Sequence, residues 1–301
     1  MNNEEMLKDS IRELIYNVIK EEQGKQEQIK INAGVDEIKT CDNSTDDGFV
    51  EDVTVISMQD TFCVPNAHDP EGYMKMKQSS SGRLGIWRAG PRPLSKAYVR
   101  FIADHAAAQG AVWSEVDQDI IKELGFICLE SISSSKAEYL KNPNTGKRLS
   151  PESVEIVKQN ANKNVNVQIV FADGLSSSAI EKNAKDVLPA LQQGLKSLGL
   201  TYATPFFVTN GRVAVSEEIG ELSDADVVVM LCGERPGLNS QSSLGAYVAY
   251  KPTIGMEESR RTVISNIHRS GTVPVEAGAQ IAELCQSMIK HKISGVELKL
   301  I

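Results

Sequence analysis

The stretch VVVMLCGERPGLNS, residues 227–240, decides how the rest of the chain is read. Five apolar residues run into Cys232 and Gly233, followed by a charged pair, Pro236-Gly237 and a polar segment. This is the pattern of a buried strand that opens into a turn at the edge of a sheet, the place where α/β proteins collect ligands. The loop alone names no ligand.

The same texture extends outward from about residue 151. VNVQIVFADGLSS reads as a strand running into an Asp-Gly turn, with Ser176 to Ser178 as candidate caps for the helix SAIEKNAKDVLPALQQGLKSLG. Pro189 is expected to kink or split that helix. TPFFVTNGRVAV carries Asn210-Gly211 between two β-rich runs and predicts a hairpin, since both turn positions tolerate positive φ. RRTVISNIH reads as a further short strand, and VPVEAGAQIAELCQSMIKHKIS as a closing helix with Pro274 in its first turn. Strands separated by helices predict an α/β fold with a largely parallel, Rossmann-like sheet over residues 151–301.

Residues 53–150 read instead as a mostly helical domain, chiefly through SKAYVRFIADHAAAQGAVW and SEVDQDIIKELGF. It is interrupted at RAGPRPLS, residues 88–95, where prolines and a glycine forbid a continuous helix and Ser95 is a plausible N-cap. Arg88 and Arg92 flank that turn, either as solvated charges or as an anion or partner contact. Residues 1–52 are expected to form a flexible tail. Within it Leu7, Ile11, Leu14, Ile15, Val18 and Ile19 make one helical stripe, and an acidic, nearly aromatic-free linker follows. Such a helix is either a tethered docking peptide or one that folds back onto the body.

Composition narrows the partners. The 301 residues allow about two domains, and the net charge of −8, from 40 acidic against 32 basic residues, offers no general attraction to phosphates. Nucleic acid and anionic membrane are therefore not expected partners. The five cysteines, Cys41, Cys63, Cys128, Cys232 and Cys285, never stand at C-x-x-C spacing, which speaks for a reducing cytoplasm rather than a disulfide framework or a structural zinc. The N-terminus is acidic without a long apolar core, and no apolar run approaches the ~20 residues of a membrane span.

A self-contained chemistry is not legible either. No G-x-G-x-x-G follows a strand and no phosphate loop is present. His68, His105, His268 and His291 lack metal-ligand spacing, His105 reads as an ordinary helix residue, and Cys232 reads as a small buried hydrophobe. With no catalytic residues and no metal site expected, the chain reads as a binding or auxiliary subunit. A nucleotide-binding or scaffold subunit on a Rossmann-like fold is the alternative.

The strings RAGPRP, RFIADHAA, ADGLSSSAI, TPFFVTNGRVAVSEEIGE, LCGERPGLNSQSSLGAYVAY and RRTVISNIHRSGTVPVEAGAQI stand in the order found in ethanolamine ammonia-lyase small subunits. Over roughly residues 53–298 the chain resembles that family. The resemblance implies an adenosylcobalamin-dependent lyase that converts ethanolamine to acetaldehyde and ammonia by radical chemistry, with the substrate held by a large subunit and the cobalamin covered by the small one. It implies cofactor contacts at Val213, Glu234 and Val263. Glu234 carries the most chemistry, since a carboxylate accepts hydrogen bonds from corrin amides or ribose hydroxyls; its structural alternative is a loop carboxylate paired with Arg235 or capping the next helix. By contrast Glu218, in SEEIGE, is expected to be solvated.

Family members commonly have cysteine where this chain has Val263, so a contact made through the thiol would be lost there, whereas one made through the backbone would be kept. Like the family, the chain lacks D-x-H-x-x-G, which implies that the cofactor keeps its own benzimidazole on cobalt. The resemblance also implies that the N-terminal helix directs the enzyme into the shell of a bacterial microcompartment within the cytoplasm.

Overall fold

The computed structural model describes residues 52, 57–80, 82–161 and 164–300. The N-terminal helix and most of the tail expected over 1–52 lie outside these residues.

The described chain opens with helix α1 (Pro70–Gln78), a two-stranded ribbon of β1 (Arg88–Ala89) and β2 (Arg92–Pro93), and helix α2 (Ser95–Trp113). The turn at 88–95 is thus an antiparallel ribbon closed at Gly90, whose φ of 59° suits a residue without a Cβ. Ser95 is the first helical residue rather than the cap; Leu94 takes the cap position and makes no side-chain bond there. Helix α2 buries Ala97, Asp104, Ala108 and Ala111 on one stripe and leaves its larger apolar side chains outside.

Next come α3 (Gln118–Glu123), β3 (Ile127–Glu130), α4 (Lys136–Lys141), α5 (Pro151–Asn160), β4 (Val167–Ala172), α6 (Ser177–Ser197) and β5 (Phe206–Thr209). Then follow α7 (Val215–Ser223), β6 (Val227–Gly233), β7 (Leu244–Tyr250), β8 (Thr262–Ile267) and α8 (Pro274–His291). One sheet holds six strands in the order β3-β5-β4-β6-β7-β8. Strands β3, β5, β4 and β6 are parallel, whereas β7 and β8 join antiparallel, so the sheet is mixed and mostly parallel. The region read as mostly helical supplies the edge strand β3, and the sheet therefore begins before the change of texture at residue 151.

Two apolar layers sandwich the sheet. On one face Val167, Ile169, Phe171, Val229 and Leu231 pack beneath α6 and α8. On the other, Val170, Ala172, Val208, Met230 and Cys232 meet Val157 of α5 and Val215 and Ile219 of α7. Alternate residues of β4 and β6 go to opposite layers, and every residue of both strands is buried. Helix α6 buries Ala179, Ile180, Ala184, Val187, Leu188, Leu191 and Leu195 along one stripe, and burying a leucine-sized side chain stabilises by about 1.5–3 kcal/mol. Its crossing with α8 is close: a Cβ on Gly194 would lie 2.7 Å from the Cβ of Ala282, and one on Gly278 2.8 Å from that of Ala190.

Three expectations require correction. Of the kink or split expected at Pro189, the split does not occur: helix α6 continues through that residue, because tertiary packing along its buried stripe outweighs the lost backbone bond. No hairpin forms at Asn210-Gly211: β5 ends at Thr209 and the chain turns into α7 at Val215. Asn210 does adopt positive φ, at 54°, but Gly211 packs under Ala172 and Val208, which turns the chain out of the sheet. Finally Glu218 is 7% exposed rather than solvated.

Candidate functional site

The chain passes from β4 to β5 on one side of β4 and then crosses to β6 on the other. Loops leaving the carboxyl ends of β4 and β6 therefore diverge at a topological switch point, where open α/β sheets bind ligands. Here they touch. Leu175 N donates to Gly233 O at 3.0 Å, and a Cβ on Gly233 would collide with the carbonyl oxygens of Asp173 and Ser176. Ser176 occupies the cap position of α6, yet its hydroxyl donates to Gln241 O at 2.7 Å instead of capping the helix. Ser178 Oγ donates to the same carbonyl at 3.2 Å, and Asn183 Nδ2 donates to Ser242 O at 2.8 Å. Two of the three serines read as caps, Ser176 and Ser178, thus anchor the second half of the 234–243 loop.

Glu234 follows β6 directly and is partly buried. Its Oε2 accepts from Ser243 Oγ at 2.5 Å and from the backbone N–H of Asn266 at 3.2 Å, so the carboxylate reaches across β7 to β8. It makes neither the Arg235 pair nor the helix cap considered for it. Oε1 lies over Gly245, where a Cβ would stand 2.8 Å from it. The missing side chain at Gly245 is what leaves room for this carboxylate on the sheet.

Val263 is 48% exposed on β8, in register with Tyr247 and, through it, with Met230. It stands three residues before Asn266, roughly 10 Å along the strand. Because paired residues share a face, Val263 and Tyr247 lie on the α5–α7 side of the sheet, and exposed Ser265 follows two residues on. Burial first, then the nearby Cys232 and Glu234, pushes the Tyr247 phenol up to about 12, so it stays a neutral donor. Val213, in the turn before α7, packs partly buried against the same apolar layer, and its carbonyl accepts from Ser216 Oγ at 2.7 Å. The three residues thus border one side of the sheet. Val213 lies beside α7, and Glu234 and Val263 lie on the part over β7 and β8.

A polar cluster behind this face escaped the sequence reading. Lys136 Nζ donates to Asp173 Oδ2 at 3.1 Å and to Gly174 O at 3.2 Å, with both side chains largely buried. Burial raises the Asp173 carboxyl while Lys136 opposes it. Arg212 stacks over the Tyr139 ring at 4.2 Å, and Tyr139 donates to Gly211 O at 3.3 Å. Burial pushes the Cys232 thiol up to about 12, which keeps it protonated and a poor nucleophile. Only the spacing of Asp173-Gly174 hinted at this cluster; Lys136 lies on a different element and carried no local signal.

The geometry defines a class: an α/β protein whose strand-end loops are tied together by hydrogen bonds and beside which strand β8 leaves Val263 and Ser265 exposed. The sequence pattern of the ethanolamine ammonia-lyase light chain matches residues 70–299, and the chain belongs to that family. It is 51% identical over 253 residues to the ethanolamine ammonia-lyase small subunit of a Listeria monocytogenes strain, covering 84% of this chain and 86% of the relative. It is 43% identical over 298 residues to that of Clostridium perfringens, covering 99% and 100%. The corresponding subunit of Clostridioides difficile is 47% identical over 250 residues.

Proposed function

We propose that the chain is the small subunit of an adenosylcobalamin-dependent ethanolamine ammonia-lyase, active only with a large subunit that holds ethanolamine. The observation that carries the cofactor reading is the exposed stretch of β8 at Val263 and Ser265, beside which Glu234 lies over Gly245. A corrinoid is large and flat, with amide donors around its rim. The exposed positions of β8 suit its surface, and Glu234 suits its amides or ribose hydroxyls as an acceptor. Val213 and Val263 would contribute apolar and backbone contacts, and valine in place of cysteine keeps the backbone one. When bound, the cofactor would supply the radical chemistry, and Val213, Glu234 and Val263 of this chain would hold it in position and shield it from water. The Rossmann-like reading of 151–301 rests on the switch point between β4 and β6.

The large subunit is proposed to dock on residues 53–150, where Tyr98, Phe101, Ile102 and Trp113 of α2 are exposed. Among the described residues no helix is long and apolar enough to cross a membrane. A cytoplasmic enzyme directed into a microcompartment by its N-terminal helix, which would engage the shell proteins, completes the reading.

The test is Glu234→Gln, with cobalamin binding measured in the presence of the large subunit. Loss of a charged acceptor costs about 1.5–3 kcal/mol, so affinity falls by on the order of tenfold to a hundredfold. Glu155→Gln, on the exposed side of α5, is the control and changes it little. Equal affinities for wild type and Glu234→Gln reduce Glu234 to a structural tie between β6, β7 and β8.

A further inference from the structure

The tip of the 234–243 loop meets a residue far away in sequence. Arg83 Nε donates to Asn239 Oδ1 at 3.3 Å and Arg83 Nη2 to Leu238 O at 3.4 Å. The same Nη2 pairs with Asp104 of α2, a carboxylate 5% exposed that also accepts from Arg100 Nε at 3.0 and 3.1 Å. Burial alone would raise the Asp104 carboxyl, but the two arginines hold it below its ordinary value, so it carries its charge at neutral pH.

Arg83 itself is held from behind. Lys77, fully buried, donates from Nζ to Leu84 O and to Thr61 O, each at 2.5 Å, and Cys63 N donates to Gly85 O at 2.8 Å. These bonds tie residues 57–80 and 82–85 into an arm. Beside this knot Phe62, Val64, Tyr73, Met76 and Leu84 line an apolar groove of about 350 Å³. A contiguous set of contacts therefore runs from the groove through Lys77 and Leu84 to Arg83, and from there to the loop that begins at Glu234.

We propose that Arg83 is a positioning residue, locked by Asp104, that clamps the tip of the 234–243 loop and makes the loop's order depend on the arm. The importance of that loop for a ligand rests on the proposed function; the clamp does not. A guanidinium fork is needed because one group must serve Asp104 and two loop oxygens together, which a lysine ammonium does poorly. Since coupling between sites is reciprocal, a partner that steadies the arm steadies the Glu234 loop, and a ligand on the loop favours the partner.

Amide hydrogen exchange on the full chain tests the clamp without any cofactor. In Arg83→Gln, peptides covering residues 235–242 should exchange about tenfold faster, while those of β4 and α6 keep their protection. Asp104→Asn should release the same loop although Asp104 does not touch it, and Arg83→Lys should fail to restore it. Unchanged exchange of the loop in Arg83→Gln overturns the proposal, as does an Asp104→Asn variant that loses protection evenly over the whole chain. If the loop is released yet cobalamin affinity with the large subunit is unaltered, the clamp stands and the loop tip takes no part in ligand binding, while the Glu234 reading is decided by Glu234→Gln.

Discussion

Between Ile127 and Leu298 the large apolar side chains mostly point inward, from Leu129 at 1% exposed to Leu191 and Met230 at 0%. Over residues 57–113 the relation is reversed: Tyr73, Met76, Leu84, Trp87, Tyr98, Val99, Phe101, Ile102 and Trp113 are all at least 40% exposed, and the stripe that α2 buries is mostly alanine. The contrast separates two uses of apolar surface. In the sheet region it stabilises the chain by itself, whereas on the arm and α2 it is left exposed to solvent, the pattern that marks interaction sites when such side chains gather. Small residues under α2 suffice to seat it beside α6, where Ser177 Oγ donates to Ser114 O at 2.6 Å.

Substitutions should break this contrast in graded steps. The largest effect is expected from Leu191→Ala, which leaves a hole between α6 and the sheet. Stability measured by urea unfolding should fall by about 2–5 kcal/mol. A fall below 1 kcal/mol would mean that α6 does not build the core as described.

Glu218→Gln comes next. The Glu218 carboxylate accepts from Arg148 Nη2 at 2.8 Å and from Leu149 N at 2.7 Å. Burial would raise its pKa, but Arg148 and Leu149 together hold it below the ordinary 4.5. A depressed carboxyl pKa contributes stability that is present above 4.5 and is lost as pH falls through the folded value. Glu218→Gln should therefore cost about 1–3 kcal/mol at pH 7, and the gap from wild type should narrow below pH 4.5. A gap independent of pH would assign the loss to shape rather than charge.

The smallest effect on stability is expected at the surface of α2. Phe101→Ala and Trp113→Ala should each change unfolding free energy by no more than about 0.5 kcal/mol. If α2 docks the large subunit, each should weaken that association by about tenfold, as aromatic anchors of interfaces do. Both variants unfolding early with association intact would erase the contrast.

Parts of this design were legible in the residues alone. The apolar runs at 167–172 and 227–233 specify buried strands, the 3.6-residue stripes at 177–197 and 274–291 specify their covering helices, and the ordered strings from RAGPRP to RRTVISNIHRSG specify the family. These signals are local or repeated along the chain, so periodicity carries them. Asn210-Gly211 misled because a turn that permits positive φ serves a strand-to-helix exit as well as a hairpin, and only the packing of Gly211 on Ala172 chooses. Glu218 misled because its partner, Arg148, is seventy residues away.

Three decisions belong to the tertiary structure. It alone inserts β7 antiparallel between β6 and β8, brings Lys136 against Asp173, and sets Arg83 between Asp104 and the 234–243 loop. Each joins residues distant in sequence through hydrogen bonds or ion pairs, whose energy depends on where folding leaves two groups and not on what precedes or follows them in the chain. A sequence states which residues are able to bond; the fold decides which of them meet.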